Sequence, residues 1–142
     1  MDSTVTREPA AVGVLRALVT VVAATFLVAS PIHLGLRIPL GFATLAEPRI
    51  LPAAVVEGAC GLVLLVAAWG LFARKRWAWT AAIVAQLFAL AGVALGIFAL
   101  AMGRGPTTTT NFIYHRVIAV ALVAGLALVL SPAVRRELGP AR

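Results

Sequence analysis

The sequence predicts an all-α fold: an integral membrane bundle of four transmembrane helices in a single domain over residues 1–142. Three observations support this prediction. Of the 142 residues, 62% are hydrophobic and only 12% are charged, whereas a soluble domain is about half apolar and a quarter charged. The mean hydropathy is +1.03. Four apolar stretches also reach the length of about 20 residues that a helix needs to cross a hydrocarbon core.

The four predicted spans occupy most of the chain and leave no room for a soluble domain. They lie at residues 11–32, 53–72, 78–102 and 112–130. The first span is not expected to be a cleaved signal peptide. Its apolar run is too long, acidic residues precede it, and Pro31 disrupts the candidate cleavage site at its end.

Basic residues are divided unequally between the two ends of the predicted bundle. Eight lie on the side of the termini and of the turn between spans two and three: Arg7, Arg16, Arg74, Lys75, Arg76, Arg135, Arg136 and Arg142. Four lie on the other side: Arg37, Arg49, Arg104 and Arg116. Because cytoplasmic loops are enriched in basic residues, we predict that both termini are cytoplasmic and that the chain lies in the inner or plasma membrane of the cell. The net charge of +7 then serves attraction to anionic lipid, and no nucleic-acid partner is expected.

The third span carries small residues at helical spacing: Ala85, Ala89, Gly92 and Gly96. Small residues let helix backbones approach closely inside lipid, where the hydrophobic effect does not drive helices together. We expect this stripe to pack within one bundle. The alternative is that it forms the seam of a homo-oligomer.

Both histidines and the only acidic residue within a predicted span fall at one depth, at the predicted outer end. His33 closes span one, Glu57 lies about one turn inside span two, and His115 lies in the first turns of span four. An ionisable group within a span is costly and is therefore a functional candidate. The predicted ligand-binding set is His33, Glu57, His115, Arg116, Tyr114 and Phe42, with Arg116 balancing charge and the two aromatic residues lining the pocket.

The class of ligand stays open at this point. His33, Glu57 and His115 could ligate a divalent metal, because imidazole and carboxylate groups suit zinc, iron or copper. Two histidines from different helices could instead hold a haem, and the same predicted set of residues could bind a quinone head or a lipid headgroup. The alternative is structural, with Glu57 forming a buried salt bridge to an arginine: Arg116, Arg37 or Arg49. No local metal motif or nucleophile–base motif is present, so enzymatic activity is not the favoured class.

The loop at residues 31–52 is apolar and contains four prolines. We predict that it forms a hydrophobic lid over the outer helix ends, with a short helix near Leu40 to Glu47. Such a lid could cover a pocket between the helices. Asn111, which follows a run of threonines, is the predicted N-cap of helix four.

The second span resembles the DoxX-like small membrane proteins. The resemblance rests on residues 56–65 (VEGACGLVLL) and on the basic turn at residues 74–76. Those proteins also have four helices, with an acidic residue opening helix two before a Gly- and Leu-rich run. The resemblance implies a membrane partner in thiol- or quinone-linked redox chemistry, often one component of a larger assembly. Glu57 is the position that matches.

The sequence thus favours an integral membrane accessory or binding protein with a small-ligand site (metal, haem, quinone or lipid) at the outer leaflet, associated with redox chemistry. Two alternatives belong to other classes. One is an oligomeric small transporter or channel with its path between subunits. The other is a purely structural subunit of a larger membrane complex.

Overall fold

The computed structural model describes residues 9–105 and 108–140, and within them four long helices form an up-and-down bundle. The helices are α1 (Ala10–His33), α2 (Leu51–Phe72), α3 (Ala78–Ala101), α4 (Thr109–Leu130) and the short α5 (Pro132–Leu138). The four long helices are all long and apolar enough to cross a membrane. The predicted all-α fold with four spans is therefore confirmed, and the chain is a multi-pass membrane protein. The largest shift in a boundary is at the start of the fourth span, which moves from residue 112 to 109.

Consecutive helices run in opposite directions, so successive connections lie at opposite ends of the bundle. At the basic end, which holds the α2–α3 turn and α5, Arg74 Nη1 lies 3.5 Å from Glu137 Oε1. Arg16 Nε of α1 donates to the Leu71 carbonyl oxygen at 3.0 Å. The described part of the predicted basic cluster thus lies at one end, whereas Arg7 and Arg142 fall outside the described residues. That this end is cytoplasmic stays a prediction.

The opposite end, called here the hairpin end, carries a small β-hairpin in place of the predicted short helix. Strands β1 (Ile38–Pro39) and β2 (Thr44–Leu45) pair antiparallel. The turn between them contains Gly41 with a φ of 83°, a left-handed conformation that favours glycine. The predicted helix near Leu40 to Glu47 is therefore wrong. A proline and a glycine within five residues favour a reversal of the chain over a helix.

The segment that follows the hairpin is tied to the helix ends. The Glu47 carboxylate accepts from Thr108 Oγ1 at 2.7 and 3.0 Å, directly before α4. The Ile50 backbone N–H donates to the His33 carbonyl oxygen at 3.0 Å. These bonds hold the α1–α2 loop over the helix ends, close to the predicted site.

The small residues of α3 pack inside the bundle. Ala85 and Ala89 are buried, and a Cβ at Gly92 would lie 3.0 Å from Sγ of Cys60 on α2. A Cβ at Gly96 would likewise lie 2.5 Å from Nε2 of His115 on α4. The stripe therefore packs against the other helices of the bundle, with Ala85 and Ala89 buried and Gly92 and Gly96 half-buried. The alternative of a homo-oligomer seam stays a prediction.

Helices α1 and α2 pack closely at Gly61, and we derive a stability prediction from this contact. A Cβ at position 61 would lie 2.7 Å from Leu27 Cγ and 3.1 Å from the Leu27 backbone nitrogen. We expect Gly61→Ala to lower the free energy of unfolding by about 1–3 kcal/mol, because the two backbones must separate. Denaturation in mild detergent measures this change.

Gly13→Ala is the matched control, since a Cβ at Gly13 meets nothing within 4 Å. Alanine favours a helix over glycine by about 1 kcal/mol, so this variant should be as stable as the wild type or more so. Equal stabilities of the two variants would contradict the close contact at Gly61.

Candidate functional site

The buried polar side chains of the described residues are concentrated at the hairpin end. They are His33, Glu57, Gln86, Asn111 and His115. Gln86 lies deeper in the bundle, where its Nε2 donates to the Ala82 carbonyl oxygen of its own helix at 3.0 Å. The other four line one cavity of about 190 Å³. The predicted convergence of His33, Glu57 and His115 from three helices thus occurs in space.

All four long helices contribute to this cavity, and most of its wall is apolar. Besides the four buried polar residues, Arg104 also lines the cavity; it lies in the loop after α3. Leu95 of α3 also lines it and is more than half exposed on the outside of the bundle. The cavity is therefore a mostly apolar pocket with a few convergent polar groups, the usual composition of a small-molecule site.

Glu57 is the central group of the site. It is 5% exposed, and neither carboxylate oxygen has a hydrogen-bond partner among the described residues. Its ionisable contact among the described residues is His33, whose Nε2 lies 3.6 Å from Glu57 Oε1. The alternative of a salt bridge to Arg116, Arg37 or Arg49 is wrong within the described chain, because the partner of the carboxylate is the imidazole.

His33 is held between α2 and the loop. Its Nδ1 lies 3.4 Å from the Pro48 carbonyl oxygen, and because a carbonyl only accepts, this nitrogen carries the proton in that contact. Nε2 is then the atom that faces Glu57. One turn away on each helix, Ser30 Oγ donates to the Ala54 carbonyl oxygen at 2.8 Å. This bond fixes the separation of α1 and α2 beside the His33–Glu57 pair.

His115 occupies another part of the cavity wall. Its Nδ1 donates to the Asn111 carbonyl oxygen at 2.9 Å, because a carbonyl oxygen only accepts. A Cβ at Gly96 would lie 2.5 Å from its Nε2. Only glycine at position 96 therefore leaves room for the imidazole in this orientation.

Two further oxygens of α4 are buried without a hydrogen-bond partner among the described residues: Asn111 Oδ1 and Tyr114 Oη. The Tyr114 ring packs edge-to-face on Phe26, with centroids 6.4 Å apart. Native proteins leave few buried polar atoms unpaired. Four such oxygens at one end of a small bundle are therefore the distinguishing feature of this site.

Asn111 is placed differently from the prediction. The N-cap of α4 is Thr108, whose hydroxyl accepts from the Asn111 backbone N–H at 3.0 Å. The Asn111 side chain consequently belongs to the first turn of the helix and lies inside the bundle. Sequence reasoning assigned it to capping, although its spacing of four from His115 already placed both residues on one helix face.

Two of the predicted site residues, Arg116 and Phe42, lie away from the cavity, and the predicted lining residue Tyr114 faces a separate depression between α1 and α4. Arg116 is exposed, with its guanidinium 3.3 Å from the centre of the Phe112 ring and a 3.0 Å bond from Nη1 to the Phe112 carbonyl oxygen. It follows His115 by about 100° around the helix and so faces outward. Phe42 is 91% exposed at the tip of the hairpin. Neither residue performs the charge-balancing or lining role predicted for it.

The described residues contain no group of three or more His, Cys, Asp or Glu side chains placed to hold a metal ion. The predicted metal site of His33, Glu57 and His115 is therefore not assembled in this structure. His115 lines the same cavity as the other two, but its Nδ1 is engaged by α4 and its Nε2 lies against α3.

Comparison with known protein families, curated proteins and solved structures found no match. The resemblance of the second span to DoxX-like proteins accordingly stays a prediction.

The close approach of Gly96 and His115 generates a second prediction. We expect Gly96→Ala to displace the imidazole and to break its bond to the Asn111 carbonyl oxygen. The chain contains two histidines, so imidazole nitrogen NMR spectra in detergent can follow both. The Nδ1 resonance of His115 should shift strongly, while that of His33 should change little.

Gly13→Ala again serves as the control and should leave both imidazole spectra unchanged. An unshifted His115 resonance in Gly96→Ala would show that the imidazole does not lie against α3.

Proposed function

We propose that this protein is a membrane-embedded binding protein whose hairpin-end cavity holds the polar head of a small organic ligand. The observation that carries the proposal is Glu57, a buried acid in a membrane-spanning helix whose two carboxylate oxygens lack hydrogen-bond partners within the described chain. An acid at this position is costly. A ligand that donates hydrogen bonds to it would offset that cost.

The balance of donors and acceptors narrows the class of ligand. Among the residues that line the cavity, the buried oxygens without a hydrogen-bond partner in the described chain are acceptors: the two oxygens of Glu57 and Asn111 Oδ1. The Arg104 guanidinium, a donor in the lining, belongs to an exposed residue. A ligand with O–H donors matches this set. A ligand that only accepts would leave these atoms buried and unpaired, which is unfavourable.

Among the ligand classes expected from the sequence, this balance favours a quinol head. A quinol carries two O–H donors, whereas the oxidised quinone carries only acceptors. The apolar wall of the cavity suits an aromatic ring, and Phe26 contributes an aromatic side chain to it. The exposed position of Leu95 on the wall supports entry from the surrounding lipid rather than from water.

Transport through a single bundle has less support. Between the cavity and the basic end, the core is formed by apolar residues such as Leu64, Ala82 and Leu122. Among the described residues, Gln86 is the only buried polar side chain at that depth, and its amide nitrogen is bound within its own helix. A path for polar solutes would therefore have to form between subunits. A purely structural subunit would not explain a costly buried acid beside a cavity.

Binding of duroquinol and duroquinone to the detergent-solubilised protein tests the proposal, because the two probes differ only in redox state. We expect duroquinol to bind at least about tenfold more tightly, since each unpaired buried polar group costs about 1–3 kcal/mol. Isothermal titration under anaerobic conditions measures both affinities.

Glu57→Gln should reduce duroquinol affinity by about tenfold, because one carboxylate acceptor becomes an amide donor. Glu137→Gln is the matched control, since Glu137 lies at the basic end beside Arg74, and its affinity should equal that of the wild type. Equal binding of both probes, or of duroquinol to all three proteins, would overturn the proposal. Solute flux in liposomes that is lost in Glu57→Gln would favour the oligomeric transporter instead.

A further inference from the structure

Separate from the cavity, an apolar groove runs between α1 and α4. It consists of two adjoining parts of about 410 Å³ and 530 Å³. The residues common to both parts are Val21, Thr25, Thr110 and Tyr114, so the two parts form one continuous depression. On α1 its lining runs from residue 18 to residue 33, a rise of about 22 Å. That length covers about three quarters of a hydrocarbon core of ~30 Å.

The groove is lined mainly by aliphatic side chains of both helices, and alanines widen it at three positions. Ala24 and Ala29 of α1 line the part nearer the hairpin end, and Ala121 of α4 lines the part nearer the basic end. By contrast, α1 meets α2 closely at Gly58 and Gly61, where side chains of α1 fill the space above each glycine. A long and narrow apolar depression of this kind suits a hydrocarbon chain.

At the hairpin end, the groove terminates in polar residues that include one carboxylate, that of Glu47. Its lining there includes His33, Glu47 and Asn111, and it includes no lysine or arginine among the described residues. Glu47 is partly exposed, and its carboxylate is positioned by the hydroxyl of Thr108 at 2.7 Å. Asn111 Oδ1 adds a second acceptor without a hydrogen-bond partner in the described chain.

We propose that this groove binds an aminophospholipid, with one acyl chain along α1 and α4 and the headgroup ammonium on the Glu47 carboxylate. The ammonium supplies N–H donors and a positive charge to an end of the groove that offers acceptors and a negative charge. An anionic headgroup would face the Glu47 carboxylate with no lysine or arginine among the described lining residues to offset the repulsion. The headgroup contact rests on Glu47, which does not line the quinol cavity, whereas His33 and Asn111 are wall residues of both the groove and the cavity.

The test reconstitutes the full chain into nanodiscs that contain equal amounts of phosphatidylethanolamine and phosphatidylglycerol with identical acyl chains. The lipids that remain bound after a mild detergent wash are then identified by native mass spectrometry. We expect the wild type to retain phosphatidylethanolamine over phosphatidylglycerol by about fivefold, the effect of about one charge near a membrane surface.

Two variants separate the headgroup contact from the chain contact. Glu47→Gln should abolish the preference for phosphatidylethanolamine while the total retained lipid stays the same. Ala24→Phe fills the groove and should reduce the total retained lipid severalfold. Ala124→Phe is its matched control, because Ala124 is exposed on α4 and does not line the groove. If Ala24→Phe fails to fold, Thr25→Leu narrows the same groove with a smaller change.

Equal retention of the two lipids by the wild type would overturn the headgroup assignment. Unchanged retention in the groove-filling variants would overturn the site itself. A wild-type dimer that becomes monomeric in Ala24→Phe would identify a second copy of the chain as the occupant and also overturn the proposal. Glu57→Gln should leave lipid retention unchanged, so failure of the quinol proposal and failure of this one are distinguishable.

Discussion

The constraint on which the rest of this structure depends is that lipid offers no water to satisfy polar groups. The four long helices meet this constraint for the backbone, since their hydrogen bonds are internal. Side chains have no such general solution. Glu57 meets it only in part, through a 3.6 Å approach to the His33 imidazole, and its carboxylate oxygens stay without hydrogen-bond partners among the described residues. The arrangement of the helix ends around this acid follows from that need.

The two ends of the bundle differ in how completely their buried polar groups are hydrogen-bonded. At the basic end, polar side chains bond to free carbonyl groups at helix ends: Arg16 Nε to Leu71 at 3.0 Å and Trp79 Nε1 to Val129 at 2.9 Å. These bonds connect α1 to α2 and α3 to α4. At the hairpin end, buried oxygens are left without such partners in the described chain. The hairpin end is also tied, by Ser30 to Ala54 and by Thr108 to Glu47, so the two ends differ in these unpaired buried oxygens. The proposed ligand would supply hydrogen bonds that the described chain does not make.

The small residues of α3 link the packing of the bundle to the geometry of the site. Gly92 brings α3 against Cys60 of α2, and Gly96 brings it against His115 of α4. The same glycines therefore set helix spacing and form a wall of the cavity. This dual use explains why the stripe faces inward. Between α1 and α4, by contrast, a groove stays open, and alanines contribute to its lining.

The sequence by itself determined the four spans, because hydropathy and length suffice when lipid is the solvent. It also determined the common depth of His33, Glu57 and His115, because the helical rise converts position along a span into depth. Only the tertiary structure decided which groups meet at that depth. The rotation of each helix about its axis turned Arg116 outward and Asn111 inward, and the path of the α1–α2 loop formed a hairpin whose tip carries Phe42 away from the cavity. Helix rotation and loop path depend on packing between distant segments, such as Gly96 against His115, and a pattern along one segment does not contain that information.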